Sequence, residues 1–328
     1  MSKNIKKIAV ITSGGDSPGM NAAIRAVVRA ATYYNLKCVG YYRGYQGIIE
    51  NDFIELNSRS VKNIINKGGT ILKSARSEGF RTVPGRKIAY ENLRKEYIDS
   101  LILIGGDGTF RGGAIFSKEY DINIIGIPGT IDNDIFGTQF TIGFDTALNT
   151  VIEAVDKIRD TASSHNRLFF IEVMGRDSGF IALNSGVGVG AQEILIPEED
   201  QPLDKLIESL NRSKQNGKSS SIVIVAEGDK TGKNVFELAT YIKEHMKDYS
   251  PRVTVLGHLQ RGGSPTCFDR VLASRLGVKA VEILLGGNNN VMVGIRNNQI
   301  VSTPIIDILN CESSINKELL RISKILSI

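Results

Sequence analysis

The sequence predicts an open α/β fold with a mostly parallel sheet, and three observations lead to this prediction. Short apolar runs alternate with longer segments of helical periodicity along the 328 residues. Most of the apolar runs are continuous, which is typical of parallel strands that are covered on both faces. Glycine-rich turns that carry carboxylates follow or close several of these runs. They would lie at the carboxyl ends of the strands, where open α/β sheets bind their ligands.

The pattern places each element in turn along the chain. The predicted strands are short and aliphatic: Ile8–Thr12, Lys37–Tyr42, Leu101–Ile104, Asn123–Ile127, Leu168–Val173, Ile222–Ala226 and Arg252–Leu256. The predicted helices are longer: Asn21–Tyr34, Ala89–Tyr97, Thr146–Arg159, Gly179–Val187, Leu203–Asn211, Val235–Tyr249 and Phe268–Leu285. A domain boundary is expected near residue 140, because the rhythm of strands and helices restarts there with new loops.

Composition narrows the class of function. Hydrophobic residues make up 41% of the chain, charged residues make up 23%, and the net charge is +5. These values suit a mildly basic globular enzyme with anionic substrates. Lysine and arginine are spread along the chain, so a nucleic-acid partner is not expected. Three widely spaced cysteines, with no signal peptide and no long apolar run, predict a cytoplasmic protein without a membrane partner.

The first glycine-rich turn, Gly14-Gly15-Asp16, follows a predicted strand and leads into the helix that begins near Asn21. Phosphate groups bind well at such a place, because the first N–H groups of a helix are unpaired and its dipole is positive there. The alternative is a tight β–α turn that Asp16 or Ser17 caps.

The second turn, Gly105-Gly106-Asp107-Gly108-Thr109, follows four aliphatic residues. Glycines on both sides of Asp107 would let backbone and carboxylate approach a triphosphate, and Asp107 is a hard oxygen ligand of the kind that Mg²⁺ prefers. Kinases of more than one class contain this motif, so it does not identify the phosphoryl acceptor.

The third turn, Thr130-Ile131-Asp132-Asn133-Asp134, places two carboxylates two residues apart. One could act as a base toward an acceptor hydroxyl while the other serves a metal. An Asx-rich turn is the alternative. A calcium loop is less suitable, because it would need a longer run of ligands closed by Glu.

Three basic segments lie beside predicted strand ends: Ser74-Ala75-Arg76, Met174-Gly175-Arg176 and His258-Leu259-Gln260-Arg261. Arginine matches phosphate oxygens with a bidentate fork. A single arginine is usually a solvated surface charge, but three of them with neighbouring glycines favour anion binding.

Together these motifs resemble the bacterial ATP-dependent 6-phosphofructokinase family. The resemblance runs over nearly the whole chain and includes IAVITSGGDSPGMNAAIR, GGTILKSAR, IGGDGT, GIPGTIDNDI, TIGFDTA, RDTASSH, VMGR and VLGHLQRGGSP. It implies two Rossmann-like, three-layer α/β/α domains with largely parallel sheets and an interleaved chain. An ATP-binding domain would span 1–140 and be completed by about 255–305, a fructose 6-phosphate-binding domain would span 141–254, and a helical segment would follow at 306–328.

The resemblance also implies a reaction, in which the γ-phosphoryl group of MgATP moves to the 1-hydroxyl of fructose 6-phosphate. Asp132 would be the base, Thr130 and Asp134 would support it, and Arg176 with Arg76 would stabilise the transferred group. Asp107 would hold Mg²⁺. The residues expected to bind ATP are Gly15, Arg76, Ser77, Gly106, Asp107, Gly108 and Thr109.

The substrate site implied by the resemblance draws on both halves of the sequence. Its expected members are Thr130, Ile131, Asp132, Arg167, Met174, Gly175, Arg176, Glu227, Arg252, His258, Leu259, Gln260 and Arg261. In a homotetramer of this family, Arg167 and Arg252 would reach the 6-phosphate from a neighbouring subunit.

Two glycines predict the phosphoryl donor. Pyrophosphate-dependent relatives typically carry Asp in place of Gly108 and Lys in place of Gly129. An Asp side chain at position 108 would intrude on the α-phosphate. Glycine at both positions therefore predicts ATP.

The match is weakest at the family's effector site, where ADP or phosphoenolpyruvate would bind. Ser58, Gln192 and Asn216 replace residues that are basic or acidic in the family. Glutamine lacks the carboxylate that would help to hold an effector's Mg²⁺. We expect weak, altered or absent control by both effectors. The candidate effector residues are Arg25, Arg29, Arg159, Gln192 and Lys218.

Two other functions would explain part of the phosphofructokinase-like pattern. Another GGDGT kinase, acting on NAD or a lipid, would explain Asp107 but neither the PGTIDND segment nor the HLQRGG segment. A catalytically silent nucleotide-binding subunit would be expected to lack Asp132 or Arg176, and the sequence has both.

Overall fold

The structure is a computed structural model that describes residues 5–163, 167–217, 221–247 and 249–327. The chain divides into two compact units. The first takes in 1–131, 135–146 and 261–313, and the second takes in 132–134, 147–260 and 314–328. No helix within the described ranges is long and apolar enough to cross a membrane.

The strands follow the chain in this order: β1 (Lys7–Thr12), β2 (Lys37–Tyr41), β3 (Phe53–Leu56), β4 (Ser100–Gly105), β5 (Asn123–Pro128), β6 (Leu168–Val173), β7 (Glu193–Leu195), β8 (Ser221–Ala226), β9 (Pro251–Val255), β10 (Val291–Arg296) and β11 (Gln299–Pro304). The helices are α1 (Met20–Tyr33), α2 (Tyr45–Glu50), α3 (Val83–Lys95), α4 (Asp107–Glu119), α5 (Phe144–Ser163), α6 (Phe180–Gly188), α7 (Leu203–Gln215), α8 (Val235–His245), α9 (Cys267–Leu285), α10 (Ile305–Asn310) and α11 (Lys317–Leu326).

The described part of the first unit contains a sheet in the order β11-β10-β5-β4-β1-β2-β3. The strands from β10 to β2 run parallel, and the edge strands β3 and β11 are antiparallel to their neighbours. Successive side chains of β1 point to opposite faces, so Val10 joins the core beneath α1 and α9 while Ala9 joins the core beneath α3 and α4. This sheet has apolar cores on both faces, as its continuous hydrophobic strands predict.

The second unit contains a smaller parallel sheet in the order β7-β8-β6-β9, again for the described residues. Leu168 and Phe170 of β6 pack with Leu206 of α7 and Leu238 of α8 in one apolar core. The α11 helix packs against α6 and β7.

The ends of α5, α7 and α8 differ from the sequence-based expectation by up to four residues, and α3 and α4 differ more. The α3 helix begins at Val83, six residues before the predicted start at Ala89, because Thr82 accepts a hydrogen bond from the Gly85 N–H and Pro84 is tolerated in a first turn. The α4 helix, which no sequence pattern predicted, begins at Asp107 inside the second glycine-rich turn. That helix directs its first N–H groups toward the carboxyl edge of the sheet.

Candidate active site

The three turns that the sequence singled out begin together at the carboxyl edge of the first unit's sheet. The Ser13 N–H donates to the Ile104 carbonyl at 3.1 Å, and the Gly129 N–H donates to the Gly105 carbonyl at 3.0 Å. The Thr109 hydroxyl donates to the Ser13 carbonyl at 3.0 Å. These bonds link the turns after β1, β4 and β5 into one surface.

Glycines serve different purposes in the turn after β4. A Cβ at Gly105 would lie 2.4 Å from the Thr109 hydroxyl oxygen and 2.5 Å from the Ser13 carbonyl oxygen, so no larger residue fits there. A Cβ at Gly108 would meet nothing within 4 Å. Gly105 is therefore needed for packing, whereas Gly108 leaves open space above the start of α4.

The loop that carries Arg76 is anchored to the first turn. The Thr12 hydroxyl donates to the Lys73 carbonyl at 2.7 Å, and the Ser74 hydroxyl donates to the Gly14 carbonyl. The Ser77 hydroxyl donates to the side-chain carbonyl of Gln46 at 2.7 Å. The Arg76 side chain itself is exposed, at the end of a loop whose base is fixed.

Gly15 leaves room for the guanidinium group of Arg261. The Arg261 Nη1 donates to the Asp16 carbonyl at 3.1 Å, and a Cβ at Gly15 would lie 2.4 Å from the same nitrogen. Any larger residue at position 15 would displace this guanidinium. Gly15 is an expected ATP-binding residue and Arg261 an expected substrate-binding residue, and the structure places them in contact.

The third turn is buried where it leaves β5. Thr130 and Ile131 are 8% and 0% exposed, and the Thr141 hydroxyl donates to the Thr130 carbonyl at 2.6 Å. A Cβ at Gly106 would lie 3.7 Å from the Thr130 Cβ, so the second and third turns are neighbours.

A buried carboxylate fixes the segment that follows this turn. Asp269, which is 0% exposed, accepts hydrogen bonds from the Gly143 N–H, the Thr146 N–H and the Thr146 hydroxyl at 2.8, 2.8 and 2.5 Å. Burial is the main cause that raises the pKa of Asp269 to about 6. Sequence reasoning missed this residue, although an Asp in the first turn of a predicted helix was a visible signal.

In the second unit, Asp132 lies beside the turn that follows β6. The Asp132 side chain is nearly buried, at 4% exposure. The Ser178 hydroxyl lies 3.3 Å from the Asp132 carbonyl and 2.9 Å from the Gly175 carbonyl. Ser178 thus ties the backbone of the predicted base to the turn that carries Arg176.

The Met174–Arg176 turn is held in an uncommon conformation. Arg176 has a φ of 54°, in the left-handed region that non-glycine residues seldom adopt. The Glu227 carboxylate accepts from the N–H groups of Arg176 and Gly175 at 2.6 and 3.3 Å. The Met174 N–H donates to the Gln260 side-chain carbonyl at 3.2 Å. These contacts leave the Arg176 side chain exposed.

The HLQR segment contains one buried residue, Gln260, and two exposed residues, His258 and Leu259. Gln260 is 0% exposed and donates to the Gly257 carbonyl at 3.1 Å, in addition to accepting from Met174. His258 is exposed and Leu259 is 68% exposed. Gln260 therefore supports the neighbouring turn within the chain, while His258 and Leu259 face outward.

Arg167 and Arg252 lie near the amino ends of the strands of the second sheet, whereas the Arg176 turn follows the carboxyl end of β6. Arg167 directly precedes β6, whereas Met174 directly follows it, and a six-residue strand spans about 20 Å. Arg252 pairs in register with Phe169, near the start of β6. A single chain does not bring these arginines to the Arg176 turn.

The candidate effector residues are dispersed over different elements. Arg25 and Arg29 lie on α1, where burial and the charge of Arg29 lower the pKa of Arg25. The Arg159 guanidinium donates to the Val189 carbonyl. Gln192 is 5% exposed, and its amide donates to the Ser327 carbonyl at 2.5 Å. Lys218 lies outside the described residues.

The donor set suits Mg²⁺ that is held mainly by substrate phosphates. Within the described ranges, no group of three or more His, Cys, Asp or Glu side chains could form a metal cage. The half-buried Asp107 carboxylate lies at the start of α4, 3.3 Å from Arg111, beside the space over Gly108. One carboxylate plus phosphate oxygens is a common way for proteins to bind Mg²⁺.

Residues 7–284 match the family described as Phosphofructokinase. The chain belongs to the phosphofructokinase family. It is 51% identical to ATP-dependent 6-phosphofructokinase 2 of Bacteroides thetaiotaomicron over 99% of each chain. It is 53% identical to the ATP-dependent 6-phosphofructokinase of Cytophaga hutchinsonii, over 98% of this chain and 97% of that relative.

Solved phosphofructokinases share the fold. The Saccharomyces cerevisiae enzyme matches with a TM-score of 0.87 and 35% identity, over 98% of this chain and 46% of the yeast chain. The Pichia pastoris enzyme matches with a TM-score of 0.89 and 37% identity, over 99% of this chain and 36% of that chain. The chain thus spans less than half of these longer phosphofructokinases.

These comparisons confirm the family resemblance and the α/β fold class that the sequence predicted. The individual phosphofructokinase site residues and the limits of the two domains stay predictions. Besides Asp269, sequence reasoning missed Gly105 and Ser178 as supporting residues. Gly105 was quoted within its motif, but only the close contact to Thr109 shows why a glycine is needed there.

Proposed function

We propose that this phosphofructokinase transfers the γ-phosphoryl group of ATP to the 1-hydroxyl of D-fructose 6-phosphate, giving fructose 1,6-bisphosphate and ADP in glycolysis. The observation that carries the proposal is the junction of the second and third turns, with the open start of α4 beside Thr130. Relatives named ATP-dependent 6-phosphofructokinase, about half identical over nearly the full chain, support it.

The nucleotide would bind along the first unit's glycine-rich edge. Its phosphates would lie over Gly106, Gly108 and Thr109, where the positive end of the α4 dipole favours negative charge. Asp107 would hold Mg²⁺, which supplies charge neutralisation for the phosphates. Gly15, Arg76 and Ser77 would complete this site.

Asp132 would take the proton of the sugar's 1-hydroxyl as that oxygen attacks the γ-phosphorus. Its low exposure and its tie through Ser178 limit the positions that the carboxylate can occupy. Positioning of this kind matters, because phosphoryl transfer depends mainly on alignment and charge neutralisation. Thr130 and Asp134 would support Asp132.

Arg176 would face the negative charge on the transferring group, with Arg76 as a second cation. A guanidinium offers fixed donors that match phosphoryl oxygens. The Glu227 clamp on the Arg176 backbone would hold this donor in place before the substrate binds, so less conformational entropy would be lost on reaching the transition state.

Fructose 6-phosphate would contact Ile131, Met174, Gly175, Glu227 and the His258–Arg261 segment, and its 6-phosphate would contact Arg167 and Arg252. Those two arginines lie at the far edge of the second sheet, so they would serve the 6-phosphate of a neighbouring subunit in a homotetramer. ADP and phosphoenolpyruvate would have weak or altered effects, since Gln192 is bound to Ser327. The unpaired cysteines suit a cytoplasmic enzyme.

A coupled assay with fructose 6-phosphate and Mg²⁺ tests the proposal by comparing ATP with pyrophosphate, each with and without ADP and phosphoenolpyruvate. We expect turnover with ATP alone and little response to either effector. Turnover with pyrophosphate would contradict the role given to Gly108 and Gly129. Failure with both donors would favour a different acceptor or a silent nucleotide-binding subunit, and normal ADP activation would contradict the effector expectation.

A further inference from the structure

The second unit contains a polar cavity that the proposed reaction does not use. It has a volume of about 260 Å³ and lies between β7, α7 and α11. The side chains that matter here are Gln192, Glu193, Glu199, Ser209, Arg212 and Lys324.

One wall of the cavity is the last helix of the chain. No α11 residue is fully buried, and Leu319, Leu320 and Ile322 are half-buried, so the hydrophobic effect attaches this helix less strongly than a core helix. Two polar contacts bordering the cavity add to this packing. Lys324 on α11 pairs with Glu199 at 2.6 Å, and the Gln192 amide donates to the Ser327 carbonyl at 2.5 Å.

The opposite wall of the cavity carries one cation, Arg212, and one carboxylate, Glu193. Arg212 on α7 is exposed and, within the described ranges, forms no ion pair. The Glu193 carboxylate accepts a hydrogen bond from the Ser209 hydroxyl. Burial is the main cause that raises the pKa of Glu193, and the nearby charges of Arg212 and Lys324 oppose that rise.

The charges of the lining are balanced, with two cations and two carboxylates. A polyanion would meet Arg212 but would be repelled by Glu193 and Glu199. A molecule with charges of both signs can satisfy both walls, because its carboxylate can pair with Arg212 and its ammonium group can pair with Glu193. The volume suits a molecule of the size of an amino acid rather than a nucleotide.

We propose that this cavity binds a small zwitterionic metabolite, with its carboxylate on Arg212 and its ammonium group on Glu193, and that the bound molecule holds α11 against α7 and β7. The ligand class is therefore the free α-amino acids. This site lies beyond the proposed reaction and does not depend on it.

Calorimetric titration of the full chain with each of the twenty L-α-amino acids tests the proposal, with citrate and phosphoenolpyruvate as polyanions for comparison. We expect at least one amino acid to bind and both polyanions to bind more weakly. The same amino acid should slow hydrogen exchange of the α11 backbone amides, because the ligand bridges to that helix.

Two variants on α7 locate the binding. Arg212→Met should weaken binding of the amino acid about tenfold or more, since a hydrogen bond to a charged group contributes about 1.5–3 kcal/mol. Lys205→Met removes an exposed cation of the same helix that does not line the cavity, and it should leave binding unchanged. The proposal is wrong if no amino acid binds, if Arg212→Met binds as well as the unsubstituted chain, or if a polyanion binds more tightly.

Discussion

The Glu227 carboxylate accepts a hydrogen bond from the backbone N–H of Arg176 at 2.6 Å. The left-handed conformation of Arg176 costs a residue with a side chain about 1–2 kcal/mol. The clamp from Glu227 offsets that cost and fixes the direction in which the guanidinium leaves the backbone. Glu227 is thus a positioning residue for the Arg176 side chain.

Replacing Glu227 should therefore lower catalytic efficiency in a graded way. Glu227→Ala removes the acceptor, and we expect kcat/KM for fructose 6-phosphate to fall by about 10- to 100-fold, as loss of a hydrogen bond to a charged group implies. Glu227→Gln keeps a neutral acceptor and should lie between Ala and the unsubstituted enzyme. Glu208→Ala, on the exposed face of α7, serves as a control, and equal kinetics for all of these proteins would contradict the clamp.

Asp132→Asn should keep the fold while removing the base. We expect kcat to fall by a factor on the order of 10²–10⁴, the range for loss of a positioned general base. Binding of ATP, measured by calorimetry, should remain, because the proposed nucleotide contacts lie on the glycine-rich turns of the first unit. A kcat close to that of the unsubstituted enzyme would remove Asp132 from this role.

Gly108→Asp should impair the use of ATP without impairing folding. A Cβ at Gly108 would meet no protein atom within 4 Å, and the helix dipole stabilises a carboxylate in the first turn of α4. The fold should therefore tolerate the aspartate. The side chain would instead occupy the space expected for the nucleotide phosphates. We expect a higher KM for ATP and an unchanged melting temperature.

Gly108→Ala is the matched control for this donor prediction. Alanine fits the same space and raises helix propensity by about 1 kcal/mol, so stability should be equal or higher. Its KM for ATP should stay close to that of the unsubstituted enzyme. Unchanged ATP kinetics for Gly108→Asp would show that this position does not select the donor.

Asp269 predicts a pH dependence of stability. Its folded pKa of about 6 lies above the ordinary value of 3.8, because burial and the charge of Asp145 favour the neutral acid. The folded state therefore holds this proton more tightly than the unfolded state, and the group's contribution to stability is largest below about pH 4 and declines as pH rises through 6.

Asp269→Asn should be less stable than the unsubstituted enzyme at both ends of this range, since an amide nitrogen cannot accept from the Thr146 donors. The deficit in the free energy of unfolding should be larger near pH 4.5 than near pH 7.5. Denaturant titrations of both proteins measure it, with the exposed Asp200→Asn as a control. A deficit that grows with pH would contradict the raised pKa.

The sequence predicted the parallel strands and the phosphofructokinase family, because continuous aliphatic runs and long motifs are local signals. It did not predict α4, since Gly112 and Gly113 lower helix propensity, and only close packing on Tyr45 of α2 and on Leu103 of β4 explains them. The hairpin of β10 and β11 had a usable signal that was overlooked. Asn297 and Asn298 have φ values of 48° and 60°, as two-residue hairpin turns require.

Other features could not follow from a linear reading. The contact between the Arg261 guanidinium and the Gly15–Asp16 backbone joins residues far apart in the chain, and so do the three hydrogen bonds to Asp269. Local patterns carry no information about such long-range contacts. The motif gave Gln260 a role toward the substrate, whereas its burial shows that it also fixes the Met174 backbone.

The path of the chain between its two units limits how this protein can be divided. The chain passes from one unit to the other after residues 131, 134, 146, 260 and 313. No single cut therefore yields a fragment that consists of one whole unit and nothing else. A single crossover between two related sequences would therefore combine residues of both parents in at least one of the two units.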